Sequence, residues 1–180
     1  MPLPQHDNYT IADIFSLPEG TRAELIDGQI YYMAPPTRHH QRILFFISRA
    51  IADYIDKKNG PCEVDISQFA VFLNKDSRNY VEPDISVICS PDKLNDKGCN
   101  GAPDWIIEIV SPGSRQMDYF TKLFKYHNSG VREYWIVDPA KNFIIVYNFD
   151  NSTSDQFTFA DTIKAGIYED LYIDFSQLDL

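Results

Sequence analysis

This sequence predicts an α/β fold: a central mixed β-sheet flanked by helices, with an N-terminal β-hairpin. Three observations support it. Short β-branched runs alternate with segments of helical periodicity, Asp27-Gly28 sits between two β-prone arms, and a long stripe of i, i+3, i+4 apolar spacing precedes the strand-rich middle of the chain. The 180 residues, 44% hydrophobic and 14% aromatic, suit one domain, 1–180, with a substantial core.

Thr10 predicts an N-cap and a short helix that ends near Pro18. Ala23 to Tyr32 then predicts a hairpin, because Asp27-Gly28 has the composition of a type I′ turn. After Pro35-Pro36 breaks the chain, a long helix is expected from His39 to Lys57. Its apolar face is Ile43, Phe46, Ile47, Ala50, Ile51 and Tyr54, and Asn59-Gly60-Pro61 stops it. The β-branched stretches Val64 to Leu73, Asp84 to Cys89 and Trp105 to Val110 predict strands, divided by turn-rich segments such as Asn95-Asp96-Lys97-Gly98. A second helix is expected from Ser114 to Asn128, with Ser129-Gly130 as its C-terminal stop. Glu133 to Val137 and Phe143 to Tyr147 return to the sheet, and their aromatics read as core packing because they alternate as strand residues do. No internal repeat is present.

The net charge of −10 disfavours generic adhesion to nucleic acid, but it is unevenly spread. Residues 150–179 hold seven acids against Lys164 alone. Arg38, Arg42, Arg49, Lys57 and Lys58 outnumber Asp53 and Asp56, and Arg115, Lys122, Lys125 and Arg132 outnumber Asp118, so two locally basic helices can face a polyanion. With no charged-then-apolar leader and no run of about 18 apolar residues, a cytoplasmic protein without a membrane span is expected. Cys62, Cys89 and Cys99 form no CxxC pair, and their odd number and wide spacing predict reduced thiols rather than a disulfide framework or zinc site.

The chemistry centres on Glu108, which interrupts the apolar run Trp105-Ile106-Ile107-Glu108-Ile109-Val110. On a strand it shares a face with Ile106 and Val110, while Trp105, Ile107 and Ile109 point the other way. A carboxylate buried there costs several kcal/mol, on the order of an unpaired buried charge, unless a partner or metal compensates it. Pro83-Asp84 places a second carboxylate at the start of another apolar run. The structural alternatives are a Glu108 paired with an arginine or a tyrosine hydroxyl, an Asp84 that caps a turn, and a Glu24 on the hairpin surface. His39 and His40 lack an HxxxH partner, and Ser111-Pro112-Gly113-Ser114 lacks GxSxG spacing, so neither predicts a metal site or a nucleophile elbow. The latter segment predicts a turn and N-cap.

Six short segments in order resemble the Uma family of restriction-endonuclease-like proteins, within the PD-(D/E)XK nuclease superfamily, over residues 9 to 150. They are Ala23-Glu24-Leu25-Ile26-Asp27-Gly28; His40-Gln41-Arg42-Ile43; Glu82-Pro83-Asp84-Ile85-Ser86-Val87; Ile107-Glu108-Ile109-Val110-Ser111-Pro112; Asp118 with Lys122 and Tyr126; and 130–139, Gly130 to Pro139. The superfamily's lysine usually follows the glutamate by two positions, which here is Val110; in the Uma pattern Lys122 occupies the matching place. The resemblance implies a restriction-endonuclease-like fold and a catalytic set of Glu24, Asp84, Glu108 and Lys122. It implies Mg²⁺, with Mn²⁺ as a substitute, held by Asp84, Glu108 and the carbonyl of Ile109. Cleft or nucleic-acid contacts are implied for His40, Gln41, Arg42, Asp118 and Tyr126. The expected activity is metal-dependent hydrolysis of DNA phosphodiester bonds, and the expected assembly includes a homodimer.

Helical spacing puts Phe120, Leu123, Phe124 and His127 on one apolar face and Asp118, Lys122 and Lys125 on roughly the opposite side. Such spacing predicts an Asp118–Lys122 surface pair of about 0.3–0.5 kcal/mol, unless the helix crosses the sheet's end or its apolar face packs on another subunit. A catalytically silent nucleic-acid- or protein-binding module that keeps the nuclease fold is the alternative, favoured by the acidity and the displaced lysine. A dimerisation module built on that apolar helix face is a third.

Overall fold

The structure is a computed structural model and describes residues 8–180. In chain order its elements begin with α1 (Ile11–Phe15), β1 (Ala23–Ile26), β2 (Gln29–Tyr32), α2 (Arg38–Lys58), β3 (Glu63–Ile66), β4 (Val71–Phe72) and β5 (Ile85–Ile88). There follow β6 (Leu94–Asn95), β7 (Gly98–Asn100), β8 (Trp105–Ile109), a π-helical turn (Met117–Lys122), α3 (Leu123–Ser129), β9 (Glu133–Asp138), β10 (Phe143–Asn148), β11 (Thr153–Thr158), β12 (Thr162–Lys164) and β13 (Tyr172–Asp174).

Six strands form the central sheet in the order β11-β10-β9-β8-β5-β3. Only β8 and β9 in it run parallel, because the helical crossover over the π turn and α3 joins them; every other neighbouring pair is antiparallel. This is the mixed sheet with flanking helices that the alternation of elements predicts.

Local chemistry sets most boundaries. The Thr10 backbone and hydroxyl both donate to the Asp13 carboxylate, which closes the first turn of α1. Asp27 and Gly28 both take positive φ, 51° and 82°, as a type I′ hairpin between β1 and β2 requires. Thr37 caps α2 by accepting from the His40 N–H, and Asn59, in the left-handed region, ends it.

Burial then selects faces. Ile43, Leu44, Ile47, Ile51 and Ile55 of α2 pack with Val87, Trp105, Ile107, Ile109 and Trp135 on one face of the sheet, joined by Ile163, Ile173 and Phe175 of the C-terminal segment. The other face holds Ile106, Val110, Tyr134 and Ile136 against Tyr126 of α3 and the small β4-β7-β6 sheet. Glu108 stands on this second face, as strand alternation requires.

Three expectations are corrected, and the C-terminal region adds strands that the sequence reading leaves out. Val64 to Leu73 is not one strand: β3 joins the central sheet and β4 the small one, since the Ala70 carbonyl turns to accept from the Cys99 N–H. The second helix is not uniform, because it widens into the π turn before α3. Cys62 and Cys89 form a disulfide, since the antiparallel register that pairs Glu63 with Ile88 brings the flanking cysteines opposite each other; only Cys99 remains a thiol. The acidic C-terminal region contributes β11, β12 and β13. The polar β11 is held by its ladder to β10 rather than by apolar burial, so no hydrophobic alternation announces it.

Candidate active site

Five elements deliver side chains to one end of the second face. Glu24 comes from β1, Asp84 from the residue before β5, Glu108 from β8, Asp118 and Lys122 from the π turn, and His40 from the first turn of α2. All are buried, between 2% and 9% exposed.

The Lys122 ammonium is the hub. Its Nζ lies 2.9 Å from Glu24 Oε2 and 2.9 Å from Glu108 Oε1, with Asp118 Oδ1 at 3.9 Å. Tyr126 donates its hydroxyl to the same Glu108 Oε1 at 2.7 Å. Glu24 is steadied from a second direction by the Glu82 N–H, which donates to its Oε1 at 3.0 Å. Asp84 Oδ2 accepts from the Ile109 N–H at 2.8 Å and meets His40 Nε2 at 3.0 Å. An ionised carboxylate only accepts, so His40 carries its proton on Nε2. The Asp84 N–H points at Glu108 Oε2, 3.4 Å away, and so links the two acids.

The helix is therefore inverted relative to its apolar pattern. Asp118, Lys122 and Tyr126, one turn apart, form the buried stripe, while Phe120 and Phe124 are 70% and 71% exposed. The expected Asp118–Lys122 surface pair is corrected to an interior one. Leaving buried Glu24 and Glu108 uncompensated would cost several kcal/mol, on the order of the penalty for breaking a buried pair. Burying each phenylalanine would return only about 1.5–3 kcal/mol.

Three carboxylates, Glu24, Glu108 and Asp118, face one ammonium here, with Asp84 beside Glu108, and the electrostatics follow. Burial pushes the Glu108 carboxyl well above its usual range, against the pull of Lys122. Burial also raises Asp118 to about 6, opposed by Lys122 and by the Ser114 hydroxyl, which donates to Asp118 Oδ2. Burial would lower Lys122, but Glu108, Glu24 and Asp118 together hold it well above its ordinary value, so the ammonium stays charged.

A cavity of about 410 Å³ opens onto Glu24, Asp84, Glu108, Ile109, Asp118 and His40. Its rim is Tyr32 to Thr37 on one side and Ser111 to Ser114 on the other. Lys122 and Tyr126 lie behind the acids and do not form its wall. Gln41 and Arg42 stand apart on the outer side of α2, where Arg42 donates to the Asp179 carbonyl. Sequence reasoning missed Arg22, which lines the cavity and pairs with Glu82 at 2.9 Å, and Ser114, the partner of Asp118. The Arg22-x-Glu24 spacing and the i, i+4 relation of Ser114 to Asp118 were the available signals.

Among the described residues no three His, Cys, Asp or Glu side chains converge closely enough to hold a metal ion alone. A set of two carboxylates and a backbone oxygen nevertheless fits a hard divalent cation. Asp84 Oδ1 takes no hydrogen bond among the described residues, Glu108 Oε2 meets only the long Asp84 N–H contact, and the cluster carries excess negative charge.

The family pattern described as "Putative restriction endonuclease", Uma2, matches residues 11–167. "Uncharacterized protein slr1290" of Synechocystis sp. is 29% identical over 126 residues, 69% of this chain and 65% of that protein. "Uncharacterized protein sll1609" of the same organism is 25% identical over 126 residues, 65% of this chain and 66% of that protein. The match thus spans less than two thirds of either relative. A crystal structure described as "a putative nuclease belonging to DUF820", from Anabaena variabilis, superposes with a TM-score of 0.72 at 21% identity, over 88% of this chain and 89% of that one. The fold is accordingly that nuclease fold, as the motifs imply, and the chain belongs to the Uma2 family of restriction-endonuclease-like proteins.

Proposed function

We propose that this protein is a divalent-metal-dependent endonuclease that hydrolyses DNA phosphodiester bonds, with Glu24, Asp84, Glu108 and Lys122 as its catalytic set. The observation that carries the reading is the Lys122 ammonium held 2.9 Å from both Glu24 and Glu108, with Asp84 joined to Glu108 through its own N–H.

Asp84, Glu108 and the Ile109 carbonyl would hold Mg²⁺ or Mn²⁺. Such an ion lowers the pKa of bound water and polarises a phosphoryl oxygen. The protein supplies orientation. His40 and the Ile109 N–H fix one Asp84 oxygen and so hold this carboxylate at the cavity it lines. Lys122 and Tyr126 fix one Glu108 oxygen and leave its partner oxygen for the cation. Lys122 acts from behind the acids, where its charge neutralises Glu24 and Glu108 and fixes their position at the cavity wall.

The test is incubation of the purified protein with supercoiled and single-stranded DNA, with Mg²⁺ or Mn²⁺ and with EDTA, alongside Glu108→Gln. Metal-dependent cleavage by wild type alone is expected. DNA binding with no cleavage by either protein selects the second reading, a silent binding module, which the internal pairing of Lys122 behind the cavity wall favours.

A further inference from the structure

We propose that the outward face of α2 is a track for single-stranded nucleic acid, in which Arg38 and Arg49 hold phosphates and Phe45 stacks on a base. The proposal rests on the nuclease reading above and names the form of substrate that the site receives.

The inner stripe of α2 is committed to the core, so its opposite stripe faces solvent. That stripe reads Arg38, Arg42, Phe45, Arg49, at spacings of four, three and four, which keeps all four on one side. Phe45 is 64% exposed, an uncovered ring with one guanidinium a turn before it and another a turn after it. A groove of about 610 Å³ follows the stripe, walled on the other side by Gln177, Leu178 and Asp179.

Charge singles the stripe out. On a chain with net charge −10, it gathers three guanidiniums against Asp53 and Asp179. Arg42 is occupied, donating through Nε and Nη2 to the Asp179 carbonyl at 3.2 and 2.9 Å. Arg49 meets Asp53 at 3.6 Å in an exposed pair that holds it only weakly, so a phosphate competes for it. Arg38 makes no ion pair among the described residues.

Position ties the stripe to the catalytic cavity. Thr37, the N-cap of α2, lines that cavity, and His40 in the first turn touches Asp84; Arg38 stands between them in sequence at the groove's near end. From Arg38 to Arg49 the helix rises about 16 Å, so a strand leaving the cavity along α2 meets a cation, a ring and a cation in turn.

The ring decides between strand forms. A duplex hides its base faces in the stack, so it offers α2 phosphates and groove edges but no face on which Phe45 can stack. An unpaired strand offers phosphates and base faces together, which is the combination that aromatic platforms in basic grooves bind without regard to sequence. Guanidinium forks suit phosphate oxygens.

The experiment measures fluorescence anisotropy of labelled oligo(dT), oligo(U) and a duplex of equal length with the full chain, in EDTA, across a salt series. Wild type is expected to bind single strands more tightly than duplex, and the stronger of the two single-strand arms assigns DNA or RNA. R38Q/R49Q is expected to flatten the dependence of log K on log salt by about 1.4, since each phosphate of a single strand that is no longer neutralised removes about 0.7 from the slope. F45A is expected to weaken binding about tenfold with the slope unchanged, because stacking releases no counterions. Circular dichroism and thermal melting of each variant confirm that the fold is kept. Tighter binding of duplex, no binding by wild type, or variants that bind as wild type does overturn the track. If DNA is cleaved while binding ignores these substitutions, the track falls and the nuclease reading stands. Variant-sensitive binding without cleavage keeps the track and overturns the nuclease reading.

Discussion

Lys122 shows how far a residue's setting changes its worth. As a surface pair with Asp118 it would contribute a few tenths of a kcal/mol; in the interior it neutralises Glu24 and Glu108 together. We expect Lys122→Met to lower unfolding free energy by about 3–5 kcal/mol, read from urea denaturation with an unchanged slope. A decrease below about 1 kcal/mol would mean that the acids find other compensation. His40 acts through Asp84 instead. Removing its Nε2–H in His40→Ala is expected to lower kcat for DNA cleavage by about tenfold or more, with KM little changed. His40→Gln keeps a donor of similar reach and is expected to restore most of that activity. Equal defects in the two variants would argue that the ring matters only for packing.

The π turn and α3 show an element placed by its polar stripe rather than its apolar one. An extra residue in that turn does not destroy the stripe of Asp118, Lys122 and Tyr126, which faces inward while Phe120 and Phe124 face out. Replacing both phenylalanines with serine is therefore expected to change monomer stability by no more than about 0.5 kcal/mol per site, as for ordinary surface positions. Tyr126→Phe, which deletes one hydroxyl, is expected to cost about 1–3 kcal/mol because it leaves a buried Glu108 oxygen short of a donor. Thermal melting of the two proteins side by side ranks them, and the reverse ranking would refute the inverted helix. The hairpin of β1 and β2 obeys simpler rules: two positive-φ residues set its turn, and the turn sets the register that carries Glu24 toward Lys122.

Across the whole molecule, stability and acidity are linked through the buried acids. Asp118 ionises near 3.8 when unfolded and at about 6 in the fold, so between those values the folded chain keeps a proton that the unfolded chain has released. Stability therefore falls as pH rises through this window, and the full penalty remains above it. Asp118→Asn removes the penalty. Its melting temperature is expected to exceed wild type at pH 7.5 but not at pH 4, by about 2–4 °C per kcal/mol for a chain of this size. A gain confined to pH 4 would reverse the assignment. The Cys62–Cys89 disulfide closes a loop with a sequence separation of 27, and its replacement by two serines is expected to cost about 3–4 kcal/mol in chemical denaturation.

Much of this arrangement was legible in the chain. The hairpin turn, the limits of α2 and the face on which Glu108 stands follow from short-range rules, because turn stereochemistry, capping and strand alternation involve residues within a few positions of each other. The motifs likewise mark Glu24, Asp84, Glu108 and Lys122 by residue type and order along the chain. The inward turn of Lys122, the His40–Asp84 pair, the cysteine pairing and the polar strand β11 were not legible, for one reason. Each depends on the energy of a group against partners 14 to 98 positions away or on the next strand of a sheet, and local periodicity holds no record of those partners. Folding around buried carboxylates, not helical amphipathicity, chose which side of the π turn and α3 faces the interior.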